Sequence, residues 1–551
     1  MKKTLAIILV VLLSLCTLGP AIATELPEEL PEDLTPYYEW ADSLDTSGKT
    51  FDEPITVTWA SAYLNGAAPE DYCDADVLGR WISDHFNIQV DVITLDNASF
   101  DTKIRSMLAG DDLPDVVKWY NWYPEEIINA VLEQEQLKKF PENWRERWPN
   151  LSRAQDTIPI FEGLGAILGG DYGWFRPIFL NYKPYEHDLT DQDVLYMRKD
   201  WIEAVGYEVK EIYNRQEILE LARLIKAQDP GKVGDALVPI AGSMNYLRKL
   251  FMLHDYPDYK NLVKGANGYE WSFARPEILE GLKVFKTAYS EGLISPEFFS
   301  HSDEDGHAMF GYSMIAAMDF DHSNTTHLSD RFNGLIDNGL DWHEIVNLAV
   351  IAGEDGYQHG MKSSNFWGYT FFRADCDDAV MERVLDLVDF CFTADGQTLL
   401  WQGFKGLDYE VDENGYLRTI RKPVLIRGQS DQLWKSMSTC GDETDLAPLE
   451  RNAWLSRDIY NYERTEIYKH IFALKDSIWN DDCIMDIDIL KSAFHSETQD
   501  RFSAIDVDAF IAELIVDKDG DLEASWKAFI EKNMPVVQAA IDELNTELLG
   551  M

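Results

Sequence analysis

Short apolar strand patterns alternate with helical patterns near the start of the chain, and this alternation restricts the fold more than any other feature. Residues 55–63 (ITVTWASAY) and 88–95 (IQVDVITL) are β-branched and apolar, which predicts two buried strands. Residues 76–86 and 99–109 repeat their apolar side chains with a helical period. Strands that alternate with helices form βαβ units around a mainly parallel sheet, so we predict an α/β protein.

Further elements follow from the same patterns and from helix caps. Pro276 begins an amphipathic helix, and Asp377 caps a second helix that we expect to stop before Gly396. A glycine-rich loop is predicted at residues 170–177 (GDYGWFRP). The remaining predictions are strands at residues 115–117 and 194–198 and helices at residues 201–205, 215–227 and 524–549.

The N-terminus has the pattern of an export signal. Lys2 and Lys3 precede an apolar run that is too short to cross a bilayer, and Ala21-Ile22-Ala23 is a typical cleavage site. We predict a signal peptide at residues 1–23 and an acidic leader or linker at residues 24–50. A lipid anchor on Cys16 is the alternative, although Leu15 stands where a small residue is expected. Both predictions place the protein outside the cytoplasm.

Charge and size exclude some classes of protein. The 551 residues carry 97 acidic and 48 basic side chains, a formal charge of −49, which repels the phosphates of nucleic acids. A chain of this length has material for two or more cores. Its 17 tryptophans and 25 tyrosines are more than packing needs, so some are expected to contact a ligand.

Four segments, in order along the chain, resemble landmarks of the family 1 extracellular solute-binding proteins of ABC importers. They are MLAGDDLPDVVKWY (residues 107–120), the stretch from LYMRKDW to KAQDP (195–230), RPEILEGLKVFKTAYSEGLISPEFF (275–299) and LVDFCFTADGQTLLWQGFKGLDYEVDENGYL (387–417). The closest likeness is to the large, lipoprotein-like subgroup, which is mostly associated with carbohydrate import.

The resemblance implies a bilobal type II periplasmic-binding-protein fold, with two α/β lobes joined by a hinge. Lobe 1 is expected at residues 51–191 with 360–428, and lobe 2 at residues 192–359 with 429–551. It also implies a monomer that takes a carbohydrate ligand and delivers it to the transmembrane subunits of an ABC permease. No enzyme activity and no cofactor are expected.

Ligands of open α/β sheets bind outside the carboxyl ends of the strands, which selects candidate contacts. In lobe 1 the candidates are aromatic or polar side chains near predicted strand ends and loops: Tyr63, Asn65, Trp119, Trp122, Trp174, Arg176 and Trp367. In lobe 2 they follow two apolar runs: Asn245, Tyr246 and Asp319. Aromatic faces can cover sugar rings, while amide, carboxylate and guanidinium groups bind the hydroxyls. Each of these side chains could instead serve packing or capping.

Three other functions remain open from the residues alone. A secreted glycoside hydrolase would need a selected carboxylate pair, and no local motif selects one. A metal-binding protein could use the four histidines between His301 and His327, which lack helical metal-ligand spacing. The acidic surface would also attract a peptide or another cationic ligand. DKDGDLE (517–523) resembles a calcium loop but has Leu522 and Ala528 at essential positions, so only a structural calcium of another type stays open.

Overall fold

A computed structural model gives the fold over most of the chain. The structure describes residues 30–63, 77–96, 99–119, 124–177, 193–310, 313, 315–319, 335, 340–362, 366–411, 417–421, 470, 473–492, 494 and 496–551. The predicted signal peptide and Cys16 therefore lie outside the described residues. The predicted contacts Asn65 and Trp122 lie outside them as well.

The described elements alternate between strands and helices, as the sequence predicts. The strands are β1 (Ile55–Tyr63), β2 (Ile88–Asp96), β3 (Val116–Trp119), β4 (Gly173–Pro177), β5 (Asp193–Arg198), β6 (Ile212–Tyr213), β7 (Ile240–Ala241), β8 (Leu262–Gly265), β9 (Gly268–Trp271), β10 (Ile315–Asp319), β11 (Val346–Ile351), β12 (Gly360–Met361), β13 (Phe366–Phe372), β14 (Tyr409–Val411), β15 (Leu417–Thr419) and β16 (Ile484–Met485).

The helices cover the faces of the sheets and form most of the C-terminal region. They are α1 (Thr35–Asp42), α2 (Val77–Phe86), α3 (Phe100–Gly110), α4 (Pro124–Leu132), α5 (Trp144–Arg147), α6 (Pro149–Asp156), α7 (Phe161–Leu168), α8 (Lys199–Ala204), α9 (Arg215–Gln228), α10 (Met244–Met252), α11 (Pro276–Ser290), α12 (Asp303–Met309), α13 (Trp342–Ile345), α14 (Asp378–Cys391), α15 (Ala394–Gln402), α16 (Ile489–Ser492), α17 (Glu497–Ser503), α18 (Val507–Val516) and α19 (Leu522–Leu549).

The first sheet has five strands in the order β2-β1-β3-β13-β4. β1 is parallel to β2 and β3, whereas β13 is antiparallel to β3 and β4. The carboxyl ends of four strands and the amino end of β13 therefore meet at one edge. Its core is rich in buried aromatic rings, including those of Trp59, Trp81, Trp148 and Trp174.

The second sheet has the order β6-β11-β5-β10-β7. β5 runs antiparallel to β10 and β11, which are parallel to β7 and β6 respectively. Its separate core includes the C-terminal helices: Trp526 of α19 is buried and its Nε1 donates a hydrogen bond to the Phe273 carbonyl at 3.1 Å. Two sheets with two separate cores give the α/β organisation that the sequence predicts.

A two-strand ladder lies where the chain leaves the second sheet and returns to the first. β12, between β11 and β13 in the chain, pairs in parallel with β16, and Gly360 faces Ile484 in the register. β16 in turn precedes the helices that pack on the second core. These two crossing segments thus run side by side, in the region where the hinge between the lobes is expected.

Part of the predicted acidic linker is folded. α1 packs on the first core through the buried Ala41, and Trp81 Nε1 donates a hydrogen bond to Asp42 Oδ1 at 2.9 Å. The His85 ring lies between two carboxylates, 2.8 Å from Asp42 and 3.0 Å from Asp45. The acidic composition of residues 24–50 predicted a leader or linker, because composition alone does not reveal these contacts with α2.

The His85 contacts should make the docking of α1 depend on pH. Burial lowers the pKa of His85, but hydrogen bonds with Asp45 and Asp42 raise it by more, so its pKa lies above the ordinary value. A histidine whose pKa is higher in the folded state than in the unfolded state stabilises the folded state when it is protonated. This stabilisation is complete below the unfolded-state pKa of about 6.5 and is lost as pH rises through the folded-state pKa. We expect the protection of α1 amides against hydrogen exchange, corrected for intrinsic rates, to fall over that range. In His85→Gln the fall should be absent; the same pH profile in both proteins would contradict the assignment.

Candidate ligand-binding site

Most of the lobe 1 candidate contacts lie in strands that meet at one edge of the first sheet. β1 ends at Tyr63, β3 ends at Trp119, and β13 begins at Phe366, one residue before Trp367. Arg176 is the penultimate residue of β4. Because β13 pairs with both β3 and β4, these four candidate positions occupy neighbouring strands at one edge.

Several of these side chains are deeply buried in this structure. Trp119 is 1% exposed, and its Nε1 donates a hydrogen bond to Asp101 Oδ1 at 2.9 Å. Trp174 is fully buried, with its ring centroid 6.3 Å from that of Trp59, and Arg176 is 2% exposed. Ligand contact by these residues stays a prediction, while their packing roles are visible.

An open recess lies at the edge of the second sheet. β5 contributes Val194, β11 contributes Ile351, and α10 contributes Tyr246 and Lys249 to its walls. His359 and the β12 ladder close it on the side of the chain crossing. The recess therefore lies at the strand ends of lobe 2 and against the hinge, where lobe movement would change its shape.

Two of the lobe 2 candidates lie on α10 and the third at the same sheet edge. Ser243 caps α10, since its Oγ accepts a hydrogen bond from the Tyr246 amide at 3.3 Å, and this cap places Asn245 and Tyr246 in the first turn. Tyr246 lines the recess. Asp319 ends β10 opposite Asp193, the residue before Val194, so its backbone lies at the same edge.

The recess also contains residues that the sequence predictions omitted. Most of them are apolar, and the polar ones are basic or amide side chains: Lys249, His254, Gln358, His359 and Lys475. The helical period of α10 could have indicated the first of them, because Lys249 lies one turn after Tyr246. Gln358 and Lys475 come from the two crossing segments, and no local pattern connects them.

Comparison with solved structures identifies the fold. The S. pneumoniae ABC-transporter substrate-binding protein FusA in complex with kestose is 16% identical, with a TM-score of 0.57, over 88% of this chain and 97% of that chain. An HMO-binding ABC-transporter-associated solute-binding protein from Bifidobacterium longum infantis is 12% identical, with a TM-score of 0.62, over 89% and 98%. This chain has the fold of the ABC-transporter substrate-binding proteins. The bilobal type II fold that the sequence predicts is thus confirmed. No protein-family model and no curated sequence matches the chain.

Calcium appears among proteins of this substrate-binding fold. The alginate-binding protein AlgQ2 was solved without calcium ion (15% identity, TM-score 0.55, over 89% of this chain and 96% of that chain), and FusA was solved as an EF-hand mutant. In this chain, Asp517 follows α18 and Asp521 caps α19, and both accept hydrogen bonds from backbone amides. Because α19 begins at Leu522, only five residues separate the two helices. The segment 517–523 therefore does not fit a twelve-residue calcium loop.

Two further features of the described residues are the groups that could bind a metal and the apolarity of the helices. His301 Nε2 lies 2.8 Å from Ser295 Oγ, whereas His322 and His327 lie outside the described residues. Within the described ranges, one cluster of potential metal ligands is present: Asp355, His359 and Cys483. None of the described helices combines the length and apolarity needed to span a bilayer.

Proposed function

We propose that this protein is the extracytoplasmic solute-binding subunit of an ABC importer, and that it captures a sugar or oligosaccharide between its lobes and delivers it to a permease. The observation that carries the proposal is the match of nearly the whole chain to FusA, whose structure holds kestose. The predicted export signal and the candidate contacts at the two sheet edges support the same function.

Capture requires a ligand that contacts both lobes, because only such a ligand favours the closed state over the open one. The recess supplies the lobe 2 wall, with the Tyr246 ring and hydrogen-bonding groups from α10 and the crossing segments. We propose that Asn245 and Asp319 extend this wall. The charge of −49 does not oppose an uncharged sugar, whereas it repels strongly anionic ones.

The lobe 1 wall is proposed at the edge where four strands end. Its proposed contacts are the residues that the sequence predicts there: Tyr63, Asn65, Trp119, Trp122, Trp174, Arg176 and Trp367. Aromatic rings at this edge would cover the apolar face of a sugar. The buried members, Trp119, Trp174 and Arg176, would act mainly by supporting the other contacts.

We further propose that the protein works as an exported monomer that binds without catalysis. The proteins that share its fold in the comparisons are binding proteins. A glycoside hydrolase would release shorter sugars from a bound oligosaccharide, and a binder of cationic ligands would lose affinity as salt rises. Both alternatives therefore give results that differ from those of a sugar importer.

A thermal-shift screen followed by calorimetry tests the proposal. We expect at least one neutral oligosaccharide, from a panel that begins with kestose, to raise the melting temperature. Its Kd should change by less than about twofold between about 50 and about 500 mM salt, and chromatography should recover the sugar intact. Tyr246→Leu should weaken the binding about tenfold, the loss of about 1.4 kcal/mol that a ring contact supplies.

A matched control is available in the same lobe. Tyr289 is a buried tyrosine of α11 that packs on Phe298 and does not line the recess. Tyr289→Leu should keep the wild-type affinity. Equal weakening by both variants would move the site away from the recess, and sugar breakdown would replace the importer with the hydrolase.

A further inference from the structure

Three side chains of different chemistry converge at the hinge, beside the recess, and one of them, His359, also lines it. Asp355, His359 and Cys483 each offer one ligand atom, and the three atoms lie within 4.8 Å of one another. His359 Nε2 is 3.1 Å from Asp355 Oδ2, and Cys483 Sγ is 3.8 Å from the same oxygen. The cluster therefore combines a carboxylate, an imidazole and a thiol.

The backbone brings these residues together from separate parts of the chain. Gly360 faces Ile484 in the parallel β12–β16 ladder, so the residues just before the two strands, His359 and Cys483, are neighbours. A tight turn then folds Asp355 back over His359: the Gly353 amide donates to the Tyr357 carbonyl at 2.7 Å, and the Tyr357 amide donates to Asp355 Oδ1 at 3.0 Å. The arrangement depends on the hinge pairing itself.

The spacing suits a tetrahedral metal ion. With metal–ligand distances of about 2.0–2.1 Å for oxygen and nitrogen and about 2.3 Å for sulfur, the edges of a tetrahedron are about 3.3 Å between nitrogen and oxygen and about 3.5 Å to sulfur. The observed separations of 3.1 and 3.8 Å lie close to these edges. Asp355 is exposed and the other two ligands are half-buried, which leaves a fourth position for water.

We propose that Asp355, His359 and Cys483 form a binding site for a divalent cation of the zinc class, which clips the two crossing segments of the hinge together. Thiolate and imidazole ligands select zinc over calcium or magnesium, which prefer oxygen. The site shares His359 with the recess, whereas Asp355 and Cys483 are not part of its lining, so Cys483→Ser tests the metal site without altering the proposed sugar wall. Local sequence patterns do not indicate this cluster, because its ligands lie far apart along the chain.

Cobalt substitution provides the test. The exported protein, reduced and stripped of metal with a chelator, is titrated with Co²⁺, and we expect a near-ultraviolet cobalt–thiolate absorption that saturates at one ion per chain and disappears when Zn²⁺ is added. Cys483→Ser should abolish this absorption, and His359→Gln should lower the Zn²⁺ affinity about tenfold or more. Zn²⁺ should raise the melting temperature of the wild type more than that of either variant.

A matched control uses another thiol. Cys376 is a free cysteine buried in the first core, so Cys376→Ala should keep the cobalt absorption and the zinc affinity. The proposal is overturned if the wild-type protein shows no thiolate absorption, or if the absorption persists in Cys483→Ser. Unchanged zinc affinity in His359→Gln would overturn it as well, and this variant does not rely on the thiol.

Discussion

Trp174→Ala is expected to lower the free energy of unfolding of lobe 1 by about 3–5 kcal/mol, the cost of removing a large buried aromatic side chain. The Trp174 indole is completely buried and lies edge-on to Trp59, with a centroid distance of 6.3 Å and an interplanar angle of 84°. On the other side it approaches the Phe372 ring at 5.8 Å. These rings join β1, β4 and β13, so the cavity would open at the centre of the first sheet.

Urea denaturation followed by tryptophan fluorescence would measure the loss, with the two lobes allowed to unfold separately. Phe299→Ala provides a contrast, because the Phe299 ring is 51% exposed and its removal should cost about 1 kcal/mol or less. If Trp174→Ala kept wild-type stability and lost sugar affinity, Trp174 would be a ligand contact in a more open lobe than this structure shows.

Local periodicity was sufficient to predict many individual elements. β1 has the predicted bounds, Ile55–Tyr63, because eight of its nine residues are apolar or β-branched and favour a strand. The Asp377 carboxylate caps α14 as predicted, accepting the Ala379 amide at 2.7 Å. α14 ends at Cys391, before Gly396 as predicted, but Gly396 does not terminate it, because this residue lies within α15, which Thr393 caps.

Long-range strand pairing explains two other differences between the predicted and the observed elements near the candidate site. β3 was predicted to end at residue 117, but it continues to Trp119 because Lys118 and Trp119 pair with Thr370 and Tyr369 of β13. The predicted glycine-rich loop contains β4, which also pairs with β13. A Cβ on Gly173 would lie 2.2 Å from the Thr370 carbonyl oxygen, so this glycine permits close strand approach.

The candidate site was predictable only in part, for the same reason. The predicted contact Tyr246 lines the recess, and its contact with a ligand stays a prediction. The other walls come from segments that meet only in the folded chain, such as Gln358 and Lys475. Their approach depends on the β12–β16 pairing, and two-residue strands carry almost no periodic signal.

Arg421→Met is expected to destabilise lobe 1 by about 3–5 kcal/mol at neutral pH, because it leaves the Asp408 carboxylate buried without its cation. The side chains of Asp408 and Arg421 are 1% and 7% exposed, and the two are directly hydrogen-bonded. Asp408 Oδ2 also accepts the Phe404 amide at 2.8 Å, which ties the pair to the first core. Arg501→Met, which removes an exposed partner of Glu497, should change stability by about 0.5 kcal/mol or less.

The pH dependence separates a buried charge from a simple loss of packing. Burial raises the pKa of Asp408 more than its hydrogen bonds and Arg421 lower it, so the folded state holds this proton more tightly than the unfolded state. The contribution of Asp408 to stability therefore falls as pH rises through the unfolded-state and then the folded-state pKa. Without Arg421 the folded-state pKa of Asp408 rises further, so the cost of Arg421→Met should be smaller at about pH 5 than at about pH 7.

The double variant Asp408→Asn/Arg421→Met removes the charge and should recover part of the stability at pH 7, since a buried neutral amide costs less than a buried lone carboxylate. A cost that did not change with pH, together with no recovery in the double variant, would show that Arg421 acts through the packing of its side chain rather than through its charge.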